Sequence, residues 1–553
     1  MMAEHKRSLL ALRRQHRQHI WSIALGGTLA LASLQTSGGA ESGSAPTPHR
    51  GGTLVFAVES EPANYDCHAN VSFAFLHPVA PHYSTLLKFD AADYPAVIGD
   101  LAESWTVSPD KRVYTFKLRP GVLFHDGTPL TAADVKASYE SIVHPPEGVF
   151  SARQASHTAI SAIETPDAHT VVFRLSWPDA AMLANFASPW NCIYSAARLN
   201  EDPLFPKAHI LGSGPFAFVE HVKGERWRAK RFDKYFQAGK PYLDGYEARF
   251  LSGAKVVDAL EKGEIQAQFR SFTPAERDRL RASLGNRVEV AESPWLINLL
   301  LVFNSKRRPF DDERVRRALS LAIDRWQAAE SLANITYLKF VGGIMRPGFA
   351  MATPGTELAK LPGFSRDITA SRTEAKRLLA EAGSENLEIA FVNRDVPIPY
   401  GPAAEYVTAA WKEIGVTVSE KRLNTKEWEA ALRSGDFDAG FDFGGDYFDD
   451  PTLQLVKYIS RDLSPVNYSS TTDRLLDALF IGQAVTPDPR QRATIVRDFE
   501  RRALTAANTV PILWWNRIIV NSATVKGWAI TPSHYLNQDL ADVWLDTENP
   551  RTQ

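Results

Sequence analysis

Signatures of enzyme chemistry are missing from this sequence. It has no G-x-S-x-G elbow, no H-E-x-x-H pair, no Walker loop and no G-x-G-x-x-G turn. With no nucleophile–base pair in view, a secreted hydrolase is disfavoured and no catalytic residue is assigned. Charge of one sign is also missing. A formal net charge of −2 gives no global basic field, so neither nucleic acid nor an acidic membrane surface is an expected partner. Beyond Leu34 no long apolar run recurs, which excludes a later membrane span read from hydropathy. The 34 prolines and 33 glycines are spread out rather than pooled, and no solenoid or propeller repeat is visible. Cysteine is nearly absent, with only Cys67 and Cys192.

What is present begins at the N-terminus. Lys6, Arg7, Arg13, Arg14 and Arg17 precede the apolar stretch Ile20 to Leu34, and Gly38-Gly39-Ala40 offers a cleavage site. The apolar stretch is shorter than the roughly 20 residues a span needs. Residues 1–40 therefore read as a signal peptide, and 41–50 as a flexible leader. No cysteine lies near the cleavage site for a lipid anchor, so a free periplasmic protein is expected. In that oxidising compartment Cys67 and Cys192 are a disulfide candidate; two separate buried thiols are the alternative.

The mature chain alternates strands and helices, as layered α/β lobes require. The run Thr53 to Val58 reads as a buried strand, and Thr170 to Leu175 and Leu387 to Val392 as further strands. Alternation over Arg112 to Leu118 puts Tyr114, Phe116 and Leu118 on one face. Asp126-Gly127 marks a turn, and Thr131 with Asp134 opens a helix whose inward face is Val135, Ser138, Tyr139 and Ile142. One helix is expected over 311–326, with its acids in the first turn. Another is expected over 371–383, boxed by Ser371 and Glu374 and stopped by Gly383. Gly212-Ser213-Gly214-Pro215 reads as a tight backbone crossing rather than a nucleophile turn.

His68, His77 and His82 match no metal signature and read as solvated or pocket-rim histidines. The acidic run Asp436, Asp438, Asp442, Asp446, Asp449 and Asp450 lacks the alternation and final glutamate of a calcium loop. No metal and no cofactor is therefore assigned. Trp295 and Phe443 stand at the edges of predicted strands, where pocket residues often lie.

At 101–139 the chain reads LAESWTVSPDKRVYTFKLRPGVLFHDGTPLTAADVKASY. This resembles the signature segment of the family 5 extracellular solute-binding proteins of ABC transporters, the dipeptide, oligopeptide and nickel binders. Further likeness runs through 212–251, 303–324, 375–383 and 510–528. The resemblance implies a two-lobed α/β periplasmic binding protein fold, type II and cluster C-like, with an extra inserted domain. Domain I would comprise 51–92, 193–295 and 511–553, domain II the insertion 93–192, and domain III 296–510. Two strand-like crossings, near Trp295 to Asn304 and Val510 to Asn516, would form the hinge. Cys67 and Cys192 would then meet near the junction of domains I and II.

The resemblance also implies a site. The run from Phe443 to Pro451 is similar to the family's aromatic-x-x-Asp-Tyr-x-x-Pro loop, with one extra residue before the proline. Asp446 matches the carboxylate that holds a peptide's α-ammonium group. Phe443 matches an aromatic position and Tyr447 the neighbouring tyrosine; Asn467 matches a nearby loop. Tyr65 to Phe73 follows the first strand toward the cleft, and Tyr65, Phe73 and Trp295 complete the expected set. The implied function is capture of a di- or oligopeptide by hinge closure, for an inner-membrane ABC permease complex, by a monomer that is not an enzyme. An opine- or sugar-type solute and a nickel or haem complex are the alternative ligands.

Overall fold

The computed structural model describes residues 47–547. The export segment expected at 1–40 and most of the leader lie outside the described residues, as do the last six positions of expected domain I.

Strand Thr53–Val58 buries its apolar run between parallel partners Gly245–Phe250 and Ala267–Gln268. Arg226–Arg231 and Phe216–Val222 extend this sheet antiparallel, giving five strands. The glycine-rich crossing at 212–215 feeds that edge. A Cβ on Gly212 would stand 2.0 Å from the His82 carbonyl oxygen, and one on Gly214 2.5 Å from the same carbonyl carbon. Only glycine lets the two backbones approach so closely.

A second, four-stranded antiparallel sheet has the order Ala102–Val107, Val113–Leu118, Thr170–Leu175, Ile160–Asp167. Tyr114, Phe116 and Leu118 point inward as the alternation requires. Helix Ala132–Val143 covers that face with Val135, Ser138, Tyr139 and Ile142. Its start is fixed by Asp134, whose carboxylate accepts the Thr131 N–H at 2.7 Å. One apolar core serves both of these sheets.

The third sheet has six strands, in the order Leu338–Phe340, Thr509–Ser522, Val288–Phe303, Ala439–Gly445, Glu388–Arg394, Thr417–Leu423. It has its own core, centred on residues such as Leu299, Phe303, Leu319, Phe391 and Trp411. Two long strands, Val288–Phe303 and Thr509–Ser522, pair antiparallel along both ends. Their register breaks between Pro294 and Asn298, and there Leu296 turns its N–H to the Pro532 carbonyl at 2.9 Å. On one side of the break, Ser522 and Ile518 bond to Gln266 and Phe272 beside the five-stranded sheet. On the other side both strands belong to the six-stranded sheet. These are the two crossing strands of a two-lobed α/β fold.

Three local readings are corrected. The helix expected over 311–326 is two, Glu313–Leu321 and Arg325–Leu332. Asp324 accepts N–H bonds from Trp326 and Gln327, both at 3.0 Å, and so starts a new helix. The helix after it begins at Ile368, not 371. Asp367 caps Ala370 at 2.9 Å, Ser371 bonds back to the Asp367 carbonyl, and Glu374 pairs with Arg377. Gly383 does take the left-handed conformation, at φ 66°. Finally, His68, His77 and His82 are buried rather than solvated, each with a ring nitrogen on a backbone carbonyl. The chain carries them under the first sheet, and burial pushes His77 and His82 down to about 3.

Candidate functional site

The acidic run at 436–450 is best understood by its partners. Asp436 and Asp438 pair with Arg307, and Asp442 pairs with Lys457 at 2.5 Å. Asp449 forms a buried ion pair with Arg346, and Asp450 another with Arg492, both at 2.8 Å. Asp446 is different. No Lys, Arg or His nitrogen among the described residues lies within 4.0 Å of it. Its carboxylate accepts only the N–H of Tyr447, at 2.8 Å. Burial lifts the Asp446 carboxyl to about 6, helped by the charge of Asp450 and opposed by the Tyr447 N–H and Arg153. The two arginine-locked aspartates that follow anchor the loop next to Asp446.

Asp446 lies where two cavities meet. The smaller, of about 270 Å³, is walled by Phe443, Asp446 and Tyr447 on one side and by Val71, Trp190 and Tyr535 on the other. The larger, of about 590 Å³, lies between the inserted four-stranded layer and the segment 446–485. Arg153, Asp446 and Tyr447 line both. Ligand pockets commonly span about 300–1,000 Å³, so the pair suits a small organic molecule. A separate cavity of about 260 Å³ holds Lys88, Asp100 and Asp539, but Lys88 and Asp539 neutralise each other at 2.6 Å and it does not reach this gap.

Arg153 is the counterpart of Asp446. Its guanidinium stacks between Trp190 and Tyr447, 5.0 and 5.1 Å from their ring centroids. One terminal nitrogen donates to the Asn70 carbonyl at 2.8 Å, and Nε is buried without a partner. Among the described residues no carboxylate lies within 4.0 Å. A fixed anion and a fixed cation thus face one space without neutralising each other by direct contact.

The expected site residues separate into three groups. Asp446, Phe443 and Tyr447 are together on the cavity wall. Phe443, 36% exposed, lines the cavity while its ring stacks on Trp428 and carries the Lys457 ammonium 5.7 Å from its centroid. Trp295 and Phe73 stand behind the wall, around His534. The Trp295 indole donates to His534 Nδ1 at 3.1 Å, and the Phe73 ring is 5.9 Å from the His534 ring. Tyr65 and Asn467 lie elsewhere. Tyr65 bonds His221 at 3.0 Å and packs edge-on to Trp227, over the five-stranded sheet. Asn467 is 0% exposed and spends its amide on the Ile459 carbonyl at 2.7 Å, pinning a loop. Its NH2 also donates to the Thr471 hydroxyl and its amide oxygen accepts from the Ser469 hydroxyl at 2.6 Å, so its polar atoms are taken up within its own loop.

Arg153, Trp190, His534 and Tyr535 were not singled out from the sequence. They come from distant segments with no shared spacing. Trp190 does carry one signal, standing two residues before Cys192. The cysteines form a disulfide, with Cα atoms 6.1 Å apart. It ties the segment after the first strand to the end of the inserted layer, beside Trp190. Among the described residues no cluster of His, Cys, Asp or Glu is arranged to hold a metal ion.

Comparison with known proteins agrees with this architecture. The family model for bacterial extracellular solute-binding proteins, family 5 middle, matches residues 96–461, more than half of the chain. A di/tripeptide-binding protein 2 of Pseudomonas aeruginosa (strain UCBPP-PA14) is 32% identical over 359 residues, covering 60% of this chain and 64% of that protein. The dipeptide-binding protein of Escherichia coli (strain K12) is 28% identical over 411 residues, covering 69% and 73%. The crystal structure of the ABC transporter substrate-binding protein CtaP from Listeria monocytogenes superposes with a TM-score of 0.77 at 26% identity, over 90% of this chain and 99% of that one. The chain belongs to the family 5 bacterial extracellular solute-binding proteins, which bind solutes and are not enzymes.

Proposed function

We propose that this chain is the capture component of an ABC importer for di- or oligopeptides and similar amino-acid-derived solutes. It works as a periplasmic monomer, after loss of residues 1–40, and hands its ligand to an inner-membrane permease complex. One observation carries the choice of ligand: Asp446, alone in its acidic run without a cation, shares a cavity wall with Arg153, itself free of any carboxylate within 4.0 Å. An anion and a cation held apart on one wall suit a zwitterion. The ligand's ammonium group meets Asp446 and its carboxylate meets Arg153, each through charge-assisted hydrogen bonds. Phe443, Trp190 and Tyr535 supply aromatic surface for side chains. The peptide-binding relatives support the same class of ligand.

Capture follows from the hinge. The ligand touches both halves only when they are together, so it favours the closed arrangement by its difference in affinity for the two states. A micromolar dissociation constant needs about 8 kcal/mol, within reach of a mostly buried small zwitterion with two fixed ionic contacts. The test is a tryptophan-fluorescence titration with dipeptides, backed by native mass spectrometry of any ligand retained on purification. Asp446→Ala is expected to weaken amine-bearing ligands by more than about 1.5 kcal/mol. Unchanged affinity removes Asp446 from the site.

A further inference from the structure

We propose that the ligand extends from Asp446 into the larger chamber, where Asp179 selects a residue with a basic side chain. This rests on the reading of Asp446 as the ammonium anchor and adds a specificity to it.

The chamber is built for a long stem with a charged end. Its far wall, from residues 453–480, is mainly aliphatic and aromatic: Leu453, Val456, Ile459, Leu463 and Phe480. Facing it from the inserted layer are Trp177 and Asp179. Asp179 uses one carboxylate oxygen to accept the Ala181 N–H at 2.8 Å, which closes the turn before helix Met182–Phe186. The other oxygen has no partner among the described residues and is not sealed off from the chamber. Among the described residues no Lys, Arg or His nitrogen lies within 4.0 Å of it. The charges that act on it are Asp450 and Arg492, and these are bound to each other by two bonds of 2.8 Å. Burial and the Asp450 charge lift the Asp179 carboxyl to about 6. A lysine- or arginine-like side chain would lay its methylenes along the apolar wall and bring its charge to the open oxygen. The chamber lining holds two carboxylates, Asp179 and Asp446, against one cation, Arg153, so such a group adds a charge-assisted bond and evens the charge.

The experiment is calorimetric titration of the intact mature protein with four dipeptides: Lys-Gly, Gly-Lys and their norleucine counterparts. Norleucine keeps the stem and drops the charge. At least one lysyl isomer is expected to bind ten-fold or more tightly than its norleucine partner. In Asp179→Asn that preference should shrink to within about two-fold while norleucine peptides bind as before. Val485→Lys, a change at a 40% exposed position on the chamber rim, should erase it too by supplying the missing cation without touching Asp179. A preference that is absent in the native protein, or intact in both variants, overturns the proposal. Silence from all four peptides fails the parent reading of Asp446 as well, and so is distinct from loss of the lysine preference alone.

Discussion

At the scale of the residue, the site is a matter of unspent charge. Each neighbour of Asp446 in its run has an arginine or lysine, and the two that follow it are locked in buried ion pairs. Leaving one half-buried carboxylate without a cation is costly, and the cost appears as an acid shifted up to about 6. A ligand ammonium removes that cost, so binding should pull the acid back down and expel a proton. Because the ionised form is the one that binds, affinity for an amine-bearing ligand should fall as pH drops through 6. From pH 7 to pH 5 the loss is expected to be about ten-fold, and the released proton should register in calorimetry repeated in buffers of different ionisation heat. Flat affinity over that interval places the ammonium elsewhere. The family resemblance pointed to Asp446, Phe443 and Tyr447 together because they share one short loop, and all three line one cavity. Arg153 was not legible, since its neighbours Trp190 and Tyr447 are brought to it only by the fold.

At the scale of the element, long strands, crossings and helix caps were readable to different degrees. The strands at 53–58 and 170–175 fall where alternation and apolar runs place them. The helix boundaries at 322–325 and 367–368 do not, because an aspartate cap outcompetes a periodic apolar stripe that continues past it. The buried histidines were misread for a related reason: each sets a ring nitrogen on a backbone carbonyl, and His82 also accepts the Trp227 indole N–H, so these polar rings behave as core. The disulfide is the element-scale feature with the clearest consequence. It spans 125 residues, and closing a loop of that length removes about 5 kcal/mol of unfolded-state entropy in the simplest model. The double variant Cys67→Ser, Cys192→Ser is expected to lose about 2–5 kcal/mol in urea unfolding. An unchanged midpoint would mean that the bond constrains nothing the fold does not already hold.

At the scale of the molecule, two cores are joined by two strands whose register breaks at 294–298. The halves also meet across the cavities. Asp449 donates its N–H to the Tyr94 hydroxyl at 2.7 Å, Ala180 donates to the Ala484 carbonyl at 2.8 Å, and Tyr447 and Phe448 pack into the core of the opposite half. These contacts are few against the size of each core, as a hinged pair requires. With them in place, Arg153 and Asp446 line the same space. The two-lobed plan was legible from one long family-like segment; the closed geometry was not, because it depends on contacts between segments hundreds of residues apart. Small-angle X-ray scattering of the mature protein, with and without a saturating ligand identified by mass spectrometry, tests the central claim. The radius of gyration is expected to fall on saturation, toward that of the closed arrangement. Superimposable curves in the two states would contradict capture by closure.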